Sequence, residues 1–359
     1  METSIYLTPC CILTKFRIDC LKEDPGGEIS LKIVIPVASL EVGGTRYLYQ
    51  LANQLVVQGH RVEFVMPEGA PLFWPVQAKV TRVPSLSPTS IPAGDFILPN
   101  WWATVRPAYE SHRGRIVRLS LGYEPMWVSQ SESAKQTYLI DAPLITISEW
   151  HRQLALTNAG RDSVVIHGGV DHTIFHPHPK SSQVTGRKSI FYIHRAKSHG
   201  YYWKGTDDFW QACTRLRAKL PDFDINVVTP ENQPFNAPVP CNFWQAGSDH
   251  VLAKLYAEAD LFVSTSYFES FSLPPLEAMA CGTAVVTTDS GGNRDYTQAG
   301  VNCLVVPPSD IGALAGAMEH LLRNDTERAR MALAGYNNSQ TWTWQQTGRK
   351  MQDFLLSLH

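Results

Sequence analysis

A large excess of positive or negative charge is missing from this chain of 359 residues: 31 Lys and Arg stand against 33 Asp and Glu, a net of −2. No sequence-wide basic field exists to hold a nucleic-acid backbone, so nucleic acid is not an expected partner. Cysteine is scarce and unpatterned. The seven, Cys10, Cys11, Cys20, Cys213, Cys241, Cys281 and Cys303, are odd in number and show no C-x-x-C spacing, which fits neither a disulfide framework nor a zinc site. No run reaches the roughly 18 apolar residues that span a bilayer. The first residues carry Glu2 before any basic residue and Pro9 inside the only apolar stretch, unlike a secretory signal, so the cytoplasm is the expected compartment. No G-x-G-x-x-G follows the first strand-like run, which argues against a nicotinamide dinucleotide site. Short repeats and low-complexity tracts are absent.

Apolar residues at 44%, with 24 Gly and 24 Pro, suit a packed globular protein, and the length suits two domains of about 150 residues each. Residues 1–30 show no clean period and read as a loosely attached extension. Leu31 to Val37 is a short apolar run typical of a buried parallel strand. Gly43 and Gly44 follow it, then apolar residues at helical spacing up to Gly59, then a second strand from Arg61. Strand, helix and strand in so short a stretch form a βαβ unit with a right-handed crossover. Further strand-like runs at 79–83, 95–98, 115–121, 143–148 and 163–167 complete an open, doubly wound sheet over 31–170. The polar, proline-punctuated stretch 171–187 is a linker. The alternation restarts over 188–340, and helical patterns close the chain, the last over 341–359. The expected class is α/β, with two doubly wound parallel-sheet domains.

The densest chemistry lies in Tyr267-Phe-Glu-Ser-Phe-Ser-Leu-Pro-Pro-Leu-Glu277, after a strand ending near Ser264. Ser272 is a good N-cap residue, and Pro274 and Pro275 suit a first helical turn. A helix that opens at the carboxyl end of a strand offers free amides and a dipole to a phosphate. The amides of Phe271, Ser272 and Leu273 are candidates for that contact. Glu277 lies about one turn in and leans back toward the same ligand, while Glu269 lies on the preceding loop. Two acids beside a phosphate would repel it, so they are expected to accept hydrogen bonds from sugar hydroxyls.

This segment resembles the E-x7-E signature of the retaining, GT-B-fold glycosyltransferases of family 4. The resemblance runs from about Leu31 to Leu358. It includes Gly43-Gly44 with Gly59-His60, His167-Gly-Gly-Val-Asp171, Lys204-Gly-Thr-Asp207 and Ala280-Cys-Gly-Thr-Ala-Val-Val286. It implies two Rossmann-like domains across a cleft, acceptor side first and nucleotide-sugar side second, with the last helix returning to the first domain. The implied activity is transfer of a hexosyl or deoxyhexosyl group to an acceptor hydroxyl with retention of configuration, in polysaccharide, glycolipid or glycoconjugate synthesis. It also implies that Glu277 holds ribose hydroxyls, that Glu269 lies beside the donor sugar, that Arg195 and Lys204 neutralise the departing diphosphate, and that Gly43 and Gly44 face the donor. No cofactor or metal is expected.

The implied partners are a donor of the UDP, GDP, ADP or dTDP type and a saccharide, lipid-linked or small-molecule acceptor. Many relatives carry a first-domain histidine aimed at the donor sugar. The comparable stretch here, Arg118-Leu-Ser-Leu-Gly-Tyr-Glu-Pro-Met-Trp127, has none. Its Tyr-Glu-Pro piece resembles bacterial rhamnosyltransferase-like members, making Tyr123 and Glu124 candidates to face the sugar. Two alternatives stay open: an inactive nucleotide-sugar-binding protein and a sugar-nucleotide epimerase of the same fold. Asp222-Phe-Asp224 has metal-binding D-x-D spacing but precedes a strand and reads as a solvated turn. His172, His176 and His178 lack a Glu or Cys partner nearby, so a zinc set is not expected. The basic cluster Arg106, His112, Arg113, Arg115 and Arg118 sets an upper bound of weak, salt-sensitive membrane contact.

Overall fold

The computed structural model describes residues 29–38, 43–179, 187–196, 200–229, 235–245 and 247–359. All of the expected extension except Ile29 and Ser30 lies outside the described residues, as do 180–186 of the expected linker.

The first half comprises β1 (Lys32–Pro36), α1 (Gly43–Val57), β2 (Arg61–Pro67), β3 (Lys79–Val83), β4 (Phe96–Ile97), α2 (Trp102–Ser111), β5 (Arg115–Ile116), β6 (Arg118–Leu119), α3 (Ser131–Gln136), β7 (Leu144–Thr146), α4 (Glu149–Ala159) and β8 (Val164–Val165). In β1 every residue after Lys32 is buried, as a parallel strand covered on both faces requires. Helix α1 buries Leu48, Leu51, Ala52 and Leu55 against the sheet. It ends before Gly59, whose φ of 86° favours a residue without Cβ. The strands pair in parallel in the order β3-β2-β1-β4-β5. The stretch 115–121, expected as one strand, runs between two neighbours, and its amides point to each side in turn. Arg115, Val117 and Leu119 donate their N–H groups to Asp95, Ile97 and Pro99 on the β4 side, while Arg118 and Ser120 donate to Pro143 and Ile145 on the β7 side. The sheet β6-β7-β8 therefore continues the first one.

The second half comprises β9 (Lys188–Ile193), α5 (Thr206–Lys219), β10 (Phe223–Thr229), β11 (Asn242–Gln245), α6 (Asp249–Glu258), β12 (Leu261–Ser264), α7 (Leu273–Ala280), β13 (Ala284–Thr288), β14 (Leu304–Val306), α8 (Ile311–Arg323), α9 (Asp325–Ser339) and α10 (Trp344–Ser357). Its parallel sheet has the order β11-β10-β9-β12-β13-β14. The winding direction reverses between β9 and β12, so a crevice opens at their carboxyl ends, the general ligand position in such sheets. The first sheet reverses likewise between β1 and β4. Strand β11 was not expected: it is an exposed edge strand, Asn-Phe-Trp-Gln, with no buried residue. Helix α10 returns to the first half, where Met351 and Leu355 join the same core as Leu51 and Leu55. A Cβ on Gly348 would stand 2.6 Å from that of Gln54, so the two helices touch backbone to side chain.

Candidate functional site

The loop from β12 to α7 leaves the sheet at its reversal point. Ser272 occupies the N-cap position, but its side chain makes no capping bond and its backbone is left-handed, with φ 69°. This corrects the expectation of a side-chain cap. The strained turn is held instead by Tyr296, whose hydroxyl donates to the Ser272 carbonyl at 2.6 Å. Pro274 and Pro275 do fall in the first turn. None of the amides of Phe271, Ser272 and Leu273 donates to an acceptor among the described residues. The Phe271 ring beneath them is 3% exposed and packs on His167, Tyr296 and Trp342.

Glu277 is 4% exposed, and burial pushes its carboxyl above the usual range while a neighbouring guanidinium pulls it back in part. That guanidinium belongs to Arg46, in the first turn of α1. Its Nη1 donates to Glu277 Oε1 at 2.9 Å and its Nη2 to Asp249 Oδ2 at 2.9 Å. Phe175 lies under Arg46, ring centroid to Cζ 5.1 Å. Among the described residues, Oε2 of Glu277 has only a long contact from the Tyr256 hydroxyl, at 3.4 Å. Neither Arg46 nor Asp249 was singled out in the sequence; no local signal distinguishes an arginine on a helix whose partner is 231 residues away.

Glu269 accepts from Lys204 Nζ and from Ser266 Oγ on the same Oε1, so the structure brings two of the expected catalytic residues into contact. The backbone enforces this. Thr265 Oγ1 donates to the Lys204 carbonyl at 2.8 Å, and Tyr267 N–H donates to Trp203 at 2.7 Å. Gly205 has φ 61°, and a Cβ there would stand 2.0 Å from the Thr265 carbonyl oxygen. Glu269 is held on its other side, where it exchanges backbone bonds with Ser290 and Gly292. A Cβ on Gly292 would fall 2.2 Å from the Ser270 oxygen. The Gly291-Gly292 pair was also missed, though adjacent glycines after a strand are a readable signal of close backbone approach.

Arg195 follows β9, half-buried, with its guanidinium 5.3 Å from the Tyr201 ring centroid and its carbonyl bound by Thr206 Oγ1 at 2.7 Å. Gly43 and Gly44 are the first residues of α1. A Cβ on Gly44 would meet that of Leu121 at 3.3 Å. The halves also meet at Trp127, whose ring stacks on that of Phe268 and is tilted against that of Trp203, and at Asp295, which accepts from the Glu149 amide and pairs with His167 at 2.8 Å.

The candidates Tyr123 and Glu124 both lie buried, with partners inside the first half. Glu124 is 1% exposed, pairs with Arg118 at 3.1 Å and accepts from the Tyr138 hydroxyl at 2.8 Å, all inside the first half. Tyr123 packs its ring on Tyr138 in the same interior. Arg118, 3% exposed, consequently leaves the basic surface cluster. Asp222 and Asp224 pair with Arg187. No group of three or more His, Cys, Asp or Glu able to hold a metal ion occurs among the described residues, and no described helix is long and apolar enough to cross a membrane.

Residues 177–338 match the family model of glycosyl transferases group 1. That span is just under half of the chain and contains Arg195, Lys204, Glu269 and Glu277. A D-inositol 3-phosphate glycosyltransferase of Corynebacterium urealyticum is 26% identical over 255 residues, 64% of this chain and 60% of that protein. One from Mycobacterium tuberculosis is 39% identical over 98 residues, 27% of this chain and 20% of that protein. The chain thus spans at most about 60% of the length of these curated relatives. Among solved structures, a sucrose-phosphate synthase from Thermosynechococcus elongatus superposes with a TM-score of 0.74 at 17% identity, covering 91% of this chain and 98% of that one. The Anabaena protein HepE in complex with UDP-glucose superposes with a TM-score of 0.73 at 18% identity, covering 91% and 100%. The fold is GT-B, two Rossmann-like halves wound from parallel sheets.

Proposed function

We propose that this protein is a retaining glycosyltransferase of the family 4 kind, moving a hexosyl or deoxyhexosyl group from a nucleotide sugar to an acceptor hydroxyl. One observation carries the reading: Lys204 meets Glu269 at the sheet's reversal point, on the loop that also presents the unpaired amides of Phe271, Ser272 and Leu273. In this reading the diphosphate lies on those amides, Glu277 accepts from the ribose, and Gly43 and Gly44 admit the donor to the first half. Lys204 and Arg195 stabilise charge as it builds on the β-phosphate, where fixed cations act most strongly.

The bond from the anomeric carbon to the phosphate oxygen breaks, its electron pair staying with phosphate. The acceptor oxygen bonds the same face of that carbon, and its proton passes to the departing phosphate oxygen. Same-face attack is favoured over a covalent intermediate because both acids are engaged by a cation, Glu269 on the loop by Lys204 and Glu277 on α7 by Arg46. The reading needs no metal and belongs in the cytoplasm. The neighbour crystallised with UDP-glucose makes a UDP-type donor the first to try.

The test is a calorimetric screen of UDP, GDP, ADP and dTDP, followed by turnover of the matching nucleotide sugar in EDTA with the product anomer assigned by NMR. Tight binding without nucleotide release would leave a binding protein, and inversion at the anomeric carbon would overturn the mechanism.

A further inference from the structure

Glu277, given the donor ribose in the proposed reading, is tied to the half of the molecule that reading assigns to the acceptor. Arg46 on α1 is 8% exposed and lies between Glu277 and Asp249, giving one N–H to each. One positive charge faces two negative ones, with Glu277 buried and Asp249 partly open to water. As a purely structural contact this would be a poor choice, since replacing a buried ion pair with apolar packing is often neutral or stabilising. The surplus negative charge suits a site that receives hydrogen-bond donors.

The geometry is specific. Arg46 fixes Oε1 end-on, and Oε2 keeps its acceptor capacity because the Tyr256 hydroxyl stands 3.4 Å away. A carboxylate has about four acceptor positions, enough for the guanidinium and a vicinal diol together. Phe175 under the guanidinium and Asp249 at its far end prevent it from swinging aside. We infer that Arg46 is the positioning residue for Glu277: it orients that carboxylate toward the nucleotide and makes tight nucleotide binding depend on α1 being seated against α6 and α7. Arg46 acts through Glu277 and touches no nucleotide. The inference rests on the reading of Glu277 as the ribose-binding acid.

The test is a double-mutant cycle in affinity for the diphosphate among UDP, GDP, ADP and dTDP that binds the intact protein, with Arg46→Met, Glu277→Gln and the double variant. Each single change is expected to weaken binding about tenfold or more, and the double variant to bind like Glu277→Gln alone, because residues acting as a unit are not additive. Arg46→Lys should recover part of the loss. Losses that multiply in the double variant, or wild-type affinity in Arg46→Met, would overturn the inference and leave the reading of Glu277 standing. Unchanged affinity in Glu277→Gln, or no binding of any of the four nucleotides, would overturn the reading itself. If Arg46→Met does not fold, the same cycle is run with Arg46→Lys. A merely structural arginine would lower the urea midpoint without removing the effect of Glu277→Gln.

Discussion

Glu124 offers a sharp separation of fold from chemistry, because the local sequence invites a sugar-facing role and the structure buries it. Glu124→Gln keeps the shape and one acceptor oxygen but removes the charge. Arg118, 3% exposed, would then face only the Thr137 hydroxyl, the Tyr138 ring 3.8 Å from its Cζ and an amide. Breaking a buried pair by removing one partner costs about 3 to 5 kcal/mol, and the retained acceptor puts the expectation at about 3 kcal/mol. At a typical urea slope this moves the midpoint down by about 1 to 2 M with the slope unchanged. The assay is urea unfolding followed by fluorescence, read with and without the nucleotide that binds best, alongside turnover at a temperature where the variant is folded. Nucleotide affinity should stay within about twofold, since no described contact links Glu124 to the loop 269–273. A midpoint within error of wild type, together with collapsed turnover, would refute the assignment and return Glu124 to the donor sugar.

The same interior carries a pH signature, because burial and the Arg118 charge push the imidazole of His151 down to about 3. Its folded value lies below its unfolded value near 6.5, so stability is lost as pH falls from 6.5 toward 3. By pH 5 the intact protein should have lost about 2 kcal/mol more than His151→Gln, and parallel stability curves for the two would remove His151 as the cause. Lys204→Met should lower kcat about a hundredfold while donor affinity changes little, since its charge is needed most as phosphate departs; equal losses in both would make it a binding residue only. Gly205→Ala should cost about 1 to 3 kcal/mol and much of the turnover without altering charge, because the new Cβ would stand 2.0 Å from the Thr265 carbonyl; full activity would show that the turn is not what aims Lys204.

What could be read from the chain beforehand divides along physical lines. Strands such as Lys32–Pro36 and Leu261–Ser264 are buried on both faces, so their apolar runs announce them. The loop of Glu269 and Glu277 announces itself because strand, proline-opened helix and paired acids are all local features. Strand β11 was not legible: it is an exposed edge strand with no buried residue to set an apolar period. Ser272 misled for a different reason. Its residue type favours a side-chain cap, yet the capping geometry is overridden by a left-handed backbone held by Tyr296, distant in sequence.

The same division explains why the acids were found and their cations only in part. Lys204 sits beside a glycine at a turn, and the close approach that Gly205 permits is what delivers its ammonium to Glu269. Arg46 has no such marker. It lies in a helix among Thr45, Tyr47 and Leu48, all buried for packing, and becomes distinct only when the second half places Glu277 and Asp249 around it. A charge buried by one half and neutralised by the other has no local signature, because neither half alone creates its environment. Such residues are where coupling between the halves is to be sought, because the ion pair of Arg46 with Glu277 joins α1 of the first half to α7 of the second.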